Sequence, residues 1–410
     1  MFPIFILFSV FLLIAVRQVG RFRFEIWQVM CGGAAAVLLT GGIKPGAALA
    51  AIDPDVMLFL FGMFAAGQVF ELSGWLAHVK YGFFRHAGTG EGLLLMLVFF
   101  MGTASAFLMN DTLAIIGTPV VLLLARKHGI SPKALLLALA FSITVGSVMS
   151  PIGNPQNLLV AVKGEVAAPF LTFFKYLALP TFINLAAVFL LLRHFYALDF
   201  KKVRLAHSQE PVKDKRLAFL ARLTAAVLGL MIAAKIALAA FDPALDFSLT
   251  WIALAAAAPG LLFSPRRLEI LRKTDWSTLA FFASMFVLMR AVWDTGFFQG
   301  LIARSGADIA GLGPIIAVSV LMSQLISNVP LVALYLPLLR HAGAGTPELM
   351  ALAAASTFAG NLFILGAASN VIIIQNAEKK TGATITFLEF ARAGVPLTFI
   401  NAIIYWVFLK

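Results

Sequence analysis

Apolar blocks follow one another along almost the whole chain, and most are long enough to cross a bilayer. They fall at about 2–16, 25–42, 55–72, 92–108, 111–125, 131–147, 166–192, 217–240, 248–264, 277–295, 310–326, 329–340, 347–364 and 384–409. A helix needs about 20 apolar residues to span a hydrocarbon layer about 30 Å thick. The 410 residues are 61% hydrophobic and 12% charged, whereas soluble domains carry roughly 25% charged residues. The mean hydropathy is +0.95. A soluble enzyme, a nucleic-acid-binding module and a disordered chain are excluded. So is an outer-membrane barrel, whose segments are short and alternating. The expected fold class is an all-α polytopic membrane protein with about 10–11 transmembrane helices.

The net charge of +12 sorts along the chain in the way that basic cytoplasmic loops require. The longest polar stretch, 193–216, carries Arg193, Lys201, Lys202, Arg204, Lys213, Lys215 and Arg216. A second basic loop holds Arg266, Arg267, Arg272 and Lys273. The connection between them, AFDPALDF, has two aspartates and no basic residue. This pattern places 193–216 and 264–276 inside and 241–247 outside. Arg126, Lys127 and Lys133 mark another cytoplasmic turn, as do Lys379 and Lys380. The first apolar block has no basic residue before it and Arg17, Arg21 and Arg23 after it, the reverse of a signal peptide. It is expected to be a true first span, with the N-terminus outside. The single cysteine, Cys31, excludes an intrachain disulfide and a cysteine-based metal cluster.

Two halves, 1–192 and 217–410, resemble each other in order around the cytoplasmic basic linker 193–216. FGMFAAGQVFELSGW (61–75) is answered by FASMFVLMRAVWDTGF (282–297), NDTLAIIGTP (110–119) by NVPLVALYLP (328–337), and GNPQN (153–157) by GAASN (366–370). The loop charges make the span at 55–72 run inward and its counterpart at 277–295 run outward. The repeats are therefore inverted, as in many secondary transporters with a site at mid-membrane.

Each half is interrupted twice. SAFLMNDT (105–112) and SPIGNPQN (150–157) break the first; SQLISNVP (323–330) and LGAASN (365–370) break the second. Backbone without partners cannot lie in hydrocarbon unless protein or a water-filled cavity satisfies it. The spacing predicts a re-entrant hairpin at about 92–125 and a broken helix at about 131–163, then the same pair at about 310–340 and 347–378. A broken helix offers free N–H groups to an anion and free carbonyls to a small cation. Ser105, Asn110, Asn157, Ser323, Ser327, Asn328, Ser369 and Asn370 add neutral oxygens and amides. Gly153 and Gly366 admit close backbone approach, while Pro151, Pro155 and Pro330 stop helix propagation. The bland alternative is that such residues only join helices to one another.

Asp111 is the most telling single charge, since a carboxylate within the membrane is costly. It would bind a cation, carry a proton or cap a helix starting at Thr112. Glu71 and Lys235 are expected to snorkel near span ends. Arg290 and Asp294, four apart, are expected to pair on one helix. Glu389 and Arg392 are expected at the interface. The histidines show no metal spacing, and no G-x-S-x-G, H-E-x-x-H, Walker A or G-x-G-x-x-G motif occurs. No enzymatic activity, no cofactor and no nucleic-acid partner is expected. The chain reads as a gradient-driven transporter in the lipid bilayer of a bacterial inner membrane, with a small anionic or weak-acid substrate.

The motifs at Asn110–Pro119, Ser150–Asn157, Ser327–Pro337 and Ala359–Asn370 resemble the ion transporter superfamily. It includes divalent-anion/sodium symporters, citrate transporters, arsenite-efflux permeases and some sodium/proton antiporters. The symporter branch carries Ser-Asn-Thr at each hairpin tip. Here the tips read Met109-Asn110-Asp111 and Ser327-Asn328-Val329; the first is more similar to the arsenite-permease and antiporter branches, whereas GNPQN at 153–157 resembles the anion-transporter and sodium-coupled members. The resemblance implies one cation site, for Na⁺, at Ser105, Asn110 and backbone near Gly153. It implies a second at Ser323, Ser327, Asn328 and backbone near Ala367. Substrate would lie between the tips, within reach of Asn110, Asp111, Thr112, Asn154, Asn157, Asn328, Ser369 and Asn370. The resemblance further implies a homodimer with a scaffold and an elevator-like transport domain.

Overall fold

The computed structural model describes residues 2–16, 18–19, 22–23, 25–74, 87–201, 214–241, 247–300 and 309–410. Half of the basic linker expected at 193–216, the acidic centre of the 241–247 loop, and Arg17 and Arg21 lie outside the described residues.

The chain is helical, as expected. In the first half α1 spans Phe2–Val16, α2 Ile26–Leu39, α3 Pro45–Ala51 and α4 Pro54–Ser73. Then come α5 (Gly90–Leu108), α6 (Asn110–His128), α7 (Pro132–Ser147), α8 (Pro155–Lys163), α9 (Pro169–Phe195) and α10 (Ala197–Lys201). The second half holds α11 (Lys215–Phe241), α12 (Leu249–Phe263), α13 (Arg267–Lys273) and α14 (Trp276–Trp293). It continues with α15 (Leu312–Ile326), α16 (Asn328–His341), α17 (Thr346–Phe358), α18 (Ala368–Thr381) and α19 (Phe387–Leu409). Among the described residues the one β element is a two-residue ladder pairing Gln18 with Arg23 and Val19 with Phe22. Among the described residues six helices are long and apolar enough to cross a membrane, and five shorter apolar ones accompany them.

Local chemistry starts and stops these helices. Asp53 accepts from the Val56 amide at 3.0 Å and Asp275 from the Thr278 amide at 3.0 Å, capping α4 and α14. Thr386 and Glu389 close a capping box on α19, and Gly74, Gly129 and Gly382 end α4, α6 and α18 in the left-handed conformation. Such caps satisfy amides and carbonyls that helix ends otherwise leave open.

Packing between the halves comes in reciprocal pairs. Helix α4 packs on α12, and α14, its repeat partner, packs on α2. Helix α6 packs on α18, and α16 packs on α8. Within each half α5 lies on α7, and α15 on α17. This is the contact pattern of two units related by an approximate two-fold axis. Helices α7 and α17 sit at the centre and are buried on every side, from Ala134 to Ser147 and from Leu349 to Phe358. Small residues let backbones close in. At Gly146 an added Cβ would lie 1.9 Å from the Gly102 carbonyl oxygen.

The axis itself is marked by a repeat that the sequence reading passed over. Thr181-Phe182-Ile183-Asn184 in α9 returns as Thr398-Phe399-Ile400-Asn401 in α19, and the two helices pack directly on each other. The Asn401 amide donates to Asn184 Oδ1 at 2.6 Å. Asn361 donates to Asn401 Oδ1 at 3.1 Å, and Asn184 donates to the Pro180 carbonyl at 2.9 Å. All three asparagines are fully buried. Thr181 shares a 2.7 Å hydrogen bond with the Tyr405 hydroxyl, and the Tyr405 ring stacks on Phe358.

One expectation is corrected. Lys235 does not snorkel: it is buried, donates to the Phe247 carbonyl and lies over the Phe247 ring. Arg290 does pair with Asp294, at 3.0 Å.

Replacing Asn401 by leucine strips Asn184 Oδ1 and the Asn361 amide of their partners. A buried polar group left unpaired costs about 1–3 kcal/mol, so Asn401→Leu is expected to lower the unfolding temperature of the purified protein substantially. Adding Asn184→Leu is expected to cost less than the sum of the single changes, because the two share one interaction. Strict additivity in the thermal scans would refute the relay.

Candidate transport site at the helix breaks

Both halves contain a helix, a single residue of unusual backbone, and a second helix. Between α5 and α6 that residue is Met109, with φ 52° and ψ 135°. Between α15 and α16 it is Ser327, with φ 71° and ψ 160°. Neither is glycine, so each holds a conformation that costs of order 1–3 kcal/mol unless its surroundings enforce it. The following residue is a buried asparagine in each case, Asn110 or Asn328. Downstream, α7 and α8 are separated by 148–154, and α17 and α18 by 359–367, where short 3₁₀ turns run from Ala359 to Asn361 and from Ile364 to Gly366. The expected break positions are therefore occupied by real interruptions.

Hydrogen bonds gather the breaks into one place. The Asn110 amide donates to the Gly153 carbonyl at 2.9 Å, tying the first tip to the first broken helix. Gln324 Nε2 donates to the Ala359 carbonyl at 2.8 Å, tying the helix before the second tip to the second broken helix. Thr357 of α17 joins the two broken helices. Its hydroxyl accepts from Asn154 at 3.2 Å and Gln156 at 3.3 Å and donates to Asn157 Oδ1 at 3.1 Å.

The first break is saturated. Asn154 caps α8 by accepting the Asn157 amide at 2.8 Å, and also donates to Ser147 Oγ at 3.0 Å. Asn157 Nδ2 faces three carbonyls at the open end of α7, those of Ser147, Val148 and Ser150, at 3.0–3.1 Å. Ser105 Oγ donates to the Gly102 carbonyl at 2.7 Å, and Asn110 Oδ1 accepts the Asp111 amide at 2.9 Å. Thr112 packs against Gly67 of α4, where an added Cβ would lie 2.9 Å from Thr112 Oγ1.

The second break is different. Asn370 Nδ2 donates to the Gly360 carbonyl at 2.7 Å, but Asn370 Oδ1 receives nothing. Ser323 Oγ, Asn328 Oδ1 and Ser369 Oγ are likewise buried with no hydrogen-bond partner, as are Gln324 Oε1, Asn361 Oδ1 and Thr144 Oγ1. Gln324 Oε1 lies 2.7 Å from where a Cβ on Gly366 would stand, and Ala367 Cβ lies 2.7 Å from one on Gly360. Ser327 is half-buried at the tip, and Ala367, extended and buried, caps α18. Buried acceptors without donors carry the full desolvation penalty. Helices α6, α8, α16 and α18 all begin at these breaks, each turning the positive end of its dipole into the assembly.

Asp111 is half-buried in the first turn of α6. Its carboxylate has no hydrogen bond or ion pair to a described side chain. It is not the cap weighed above, because the helix begins one residue earlier, at Asn110, and Met109 holds the N-cap position. Sequence reasoning missed Ser147, Thr357, Gln324 and Asn361. A lone serine, threonine or amide in an apolar helix carries no spacing to betray it. Among the described residues no cluster of His, Cys, Asp or Glu could hold a metal ion.

Comparison with known proteins adds the identity of the group. Residues 10–355 match the family model described as citrate transporter. An uncharacterized transporter of Mycobacterium tuberculosis is 30% identical over 380 residues, covering 87% of this chain and 86% of its own length. The human P protein is 26% identical over 449 residues, and the match covers 87% of this chain and 53% of that protein. The fold is similar to that in the crystal structure of the Alcanivorax borkumensis YdaH transporter, with a TM-score of 0.60 and 14% identity. That likeness covers 100% of this chain and 98% of that one. The chain belongs to the citrate transporter family, a group of polytopic membrane transporters.

Proposed function

We propose that this protein is a secondary active transporter that moves a small inorganic or carboxylate anion, coupled to Na⁺ or H⁺. The observation that carries the reading is the set of buried oxygens without donors at the second break: Ser323 Oγ, Asn328 Oδ1, Ser369 Oγ and Asn370 Oδ1. Neutral oxygens suit a hard monovalent cation, and broken helices near the midplane are where transporters of this architecture hold ions. The anion takes the space between the tips, against the amide ends of α6 and α16, with Asn110, Thr112 and Asn328 at hand. Asn154 and Asn157 then shape the site without contacting the anion, since their amides are already engaged.

In this reading the units at 92–125 and 310–340 are re-entrant hairpins entering from opposite sides. The polar links support one path through the bilayer. Lys133 pairs with Glu389 and Arg193 with Glu91, all on the side given as cytoplasmic by the loop charges. On the opposite side Lys163 pairs with Asp53 and Arg340 with Glu165, and Thr250 bonds Asp55. The path puts the N-terminus outside a bacterial inner membrane. The helices carrying the breaks move as a transport domain against α2, α4, α12 and α14 in a homodimer.

A second reading, arsenite or antimonite efflux or Na⁺/H⁺ exchange, is favoured by the Asp111 carboxylate, which carries no partner that would fix it as purely structural. Its oxygens can hold a proton or a cation during the cycle.

Thermal unfolding in Na⁺ against choline at equal ionic strength tests the first reading, because a ligand of the folded state alone stabilises it. Na⁺ is expected to raise the unfolding temperature. Ser323→Ala is expected to raise it in choline, where an unpaired buried hydroxyl is removed, and to shrink the Na⁺-specific rise. Equal curves in both salts for the native protein would remove sodium coupling. For Asp111→Asn, reconstituted into liposomes, the expected outcome is loss of transport or of its pH dependence. Native rates with a native pH profile would sink the role of Asp111.

A further inference from the structure

A cavity of about 550 Å³ opens along α8 and α16 from Leu159 and Ala333 to Lys163 and His341, toward the ends of these helices that face away from the breaks. Its walls come from both halves: α8 and α16 on one side, α14 and the end of α3 on the other. Helix α8 runs from its cap at Asn154 to Lys163, about 13 Å at 1.5 Å per residue, so the cavity is not the space between the tips.

Its lining is of two kinds. Phe286, Met289, Trp293, Leu334 and Pro337 make an apolar wall. Lys163, Arg290, Arg340 and His341 also line it, and none of its described lining residues is acidic. The cations do have acidic partners: Lys163 with Asp53, Arg290 with Asp294, and Arg340 with Glu165. Those carboxylates stand outside the lining, and the donors are not used up. The Arg290 guanidinium engages Asp294 through Nε. Arg340 gives one N–H to Glu165 and another to the Lys163 carbonyl, and a guanidinium has five. The Arg290–Asp294 and Arg340–Glu165 pairs are exposed and contribute little on their own, whereas the Asp53 carboxylate that pairs with Lys163 is largely buried.

We propose that this cavity binds a single-chain amphiphilic anion, with a carboxylate or phosphate head on Arg290, Arg340 and Lys163 and an alkyl or aryl body against Phe286, Trp293 and Leu334. The volume lies in the range of sites for drug-sized ligands. It exceeds what an inorganic anion fills and is too small for a whole two-chain lipid. Convergent cations at one end of an apolar pocket select an anion with an apolar body over either a cation or a neutral chain. Because the walls belong to different halves, an occupant joins α8 and α16 to α14 and stabilises that arrangement of the folded chain.

The test uses the full protein in phosphatidylcholine nanodiscs, titrated with decanoate and, separately, with decyltrimethylammonium. Thermal unfolding and tryptophan emission are the readouts. Decanoate is expected to raise the unfolding temperature saturably and to change the emission of Trp293, a change lost in Trp293→Phe; the ammonium analogue is expected to do neither. Arg290→Gln combined with Arg340→Gln is expected to weaken the decanoate response at least tenfold. Leu334→Trp, which narrows the apolar wall of the cavity, is expected to weaken it in a protein that still unfolds cooperatively. An equal response to both head groups, a response unchanged in the arginine variants, or no response in the native protein would overturn the proposal. Replacing part of the phosphatidylcholine by phosphatidylglycerol separates the sources of the head group. If it leaves the decanoate response of the native protein in place, a free single-chain amphiphile is the occupant; if it abolishes that response, a two-chain lipid takes the site and the single-chain assignment is overturned.

Discussion

Everything in this molecule is subordinate to one constraint, that an amide or carbonyl in hydrocarbon must find a partner inside the protein. An unbroken helix meets the constraint trivially. This chain breaks its helices and then repairs them with side chains. Asn157 gathers three orphaned carbonyls at the end of α7, Asn154 takes the Asn157 amide in the first turn of α8, and Gly153 accepts the amide that begins α6. The amide side chain suits this work because it carries donors and an acceptor without a charge. A charged residue at the same depth would exchange one desolvation problem for a larger one.

The repair also explains why the halves must hold together. Reciprocal packing of α4 on α12 and of α14 on α2, and of α6 on α18 and α16 on α8, makes each half complete the other. The axis runs where equivalent residues meet, at Asn184 and Asn401. Two amides facing across an exact two-fold axis would donate to each other reciprocally, but this pair is asymmetric. Here Asn401 donates to Asn184, Asn184 turns to the Pro180 carbonyl, and Asn361 supplies what Asn401 lacks. The relay is thus directional: donation starts from Asn361 at the second break and ends on the Pro180 carbonyl.

Much of this architecture was legible in the chain because bilayer thickness and loop charge act on long segments. The apolar blocks, the four interruptions and the resemblance between 110–119 and 328–337 carry it. The Thr-Phe-Ile-Asn repeat was equally visible but lies inside helices that need no break, away from the polar clusters that drew the eye. Legibility fails at the level of single hydrogen bonds. Asn157 and Asn370 occupy matching places in the repeats, yet nothing in their spelling says that one Oδ1 accepts from Thr357 and the other from nothing. Lys235 misled because snorkelling is the usual resolution for a lysine near a span end. Here the Phe247 carbonyl and ring lie close enough to hold the ammonium instead.

The inequality of the two breaks bears on mechanism. The loop between α17 and α18 is longer than that between α7 and α8 and winds through 3₁₀ turns, so the Asn370 amide reaches one carbonyl where Asn157 reaches three. A break closed by its own side chains together with Thr357 has its polar groups paired without an ion, and it suits a rigid abutment. A break lined by unpaired oxygens is costly until something fills it, and its shape follows occupancy. In the proposed transport cycle this assigns coupling to the second break and anchorage to the first. The two join at the Thr357 hydroxyl, through which a change at one break must be felt at the other.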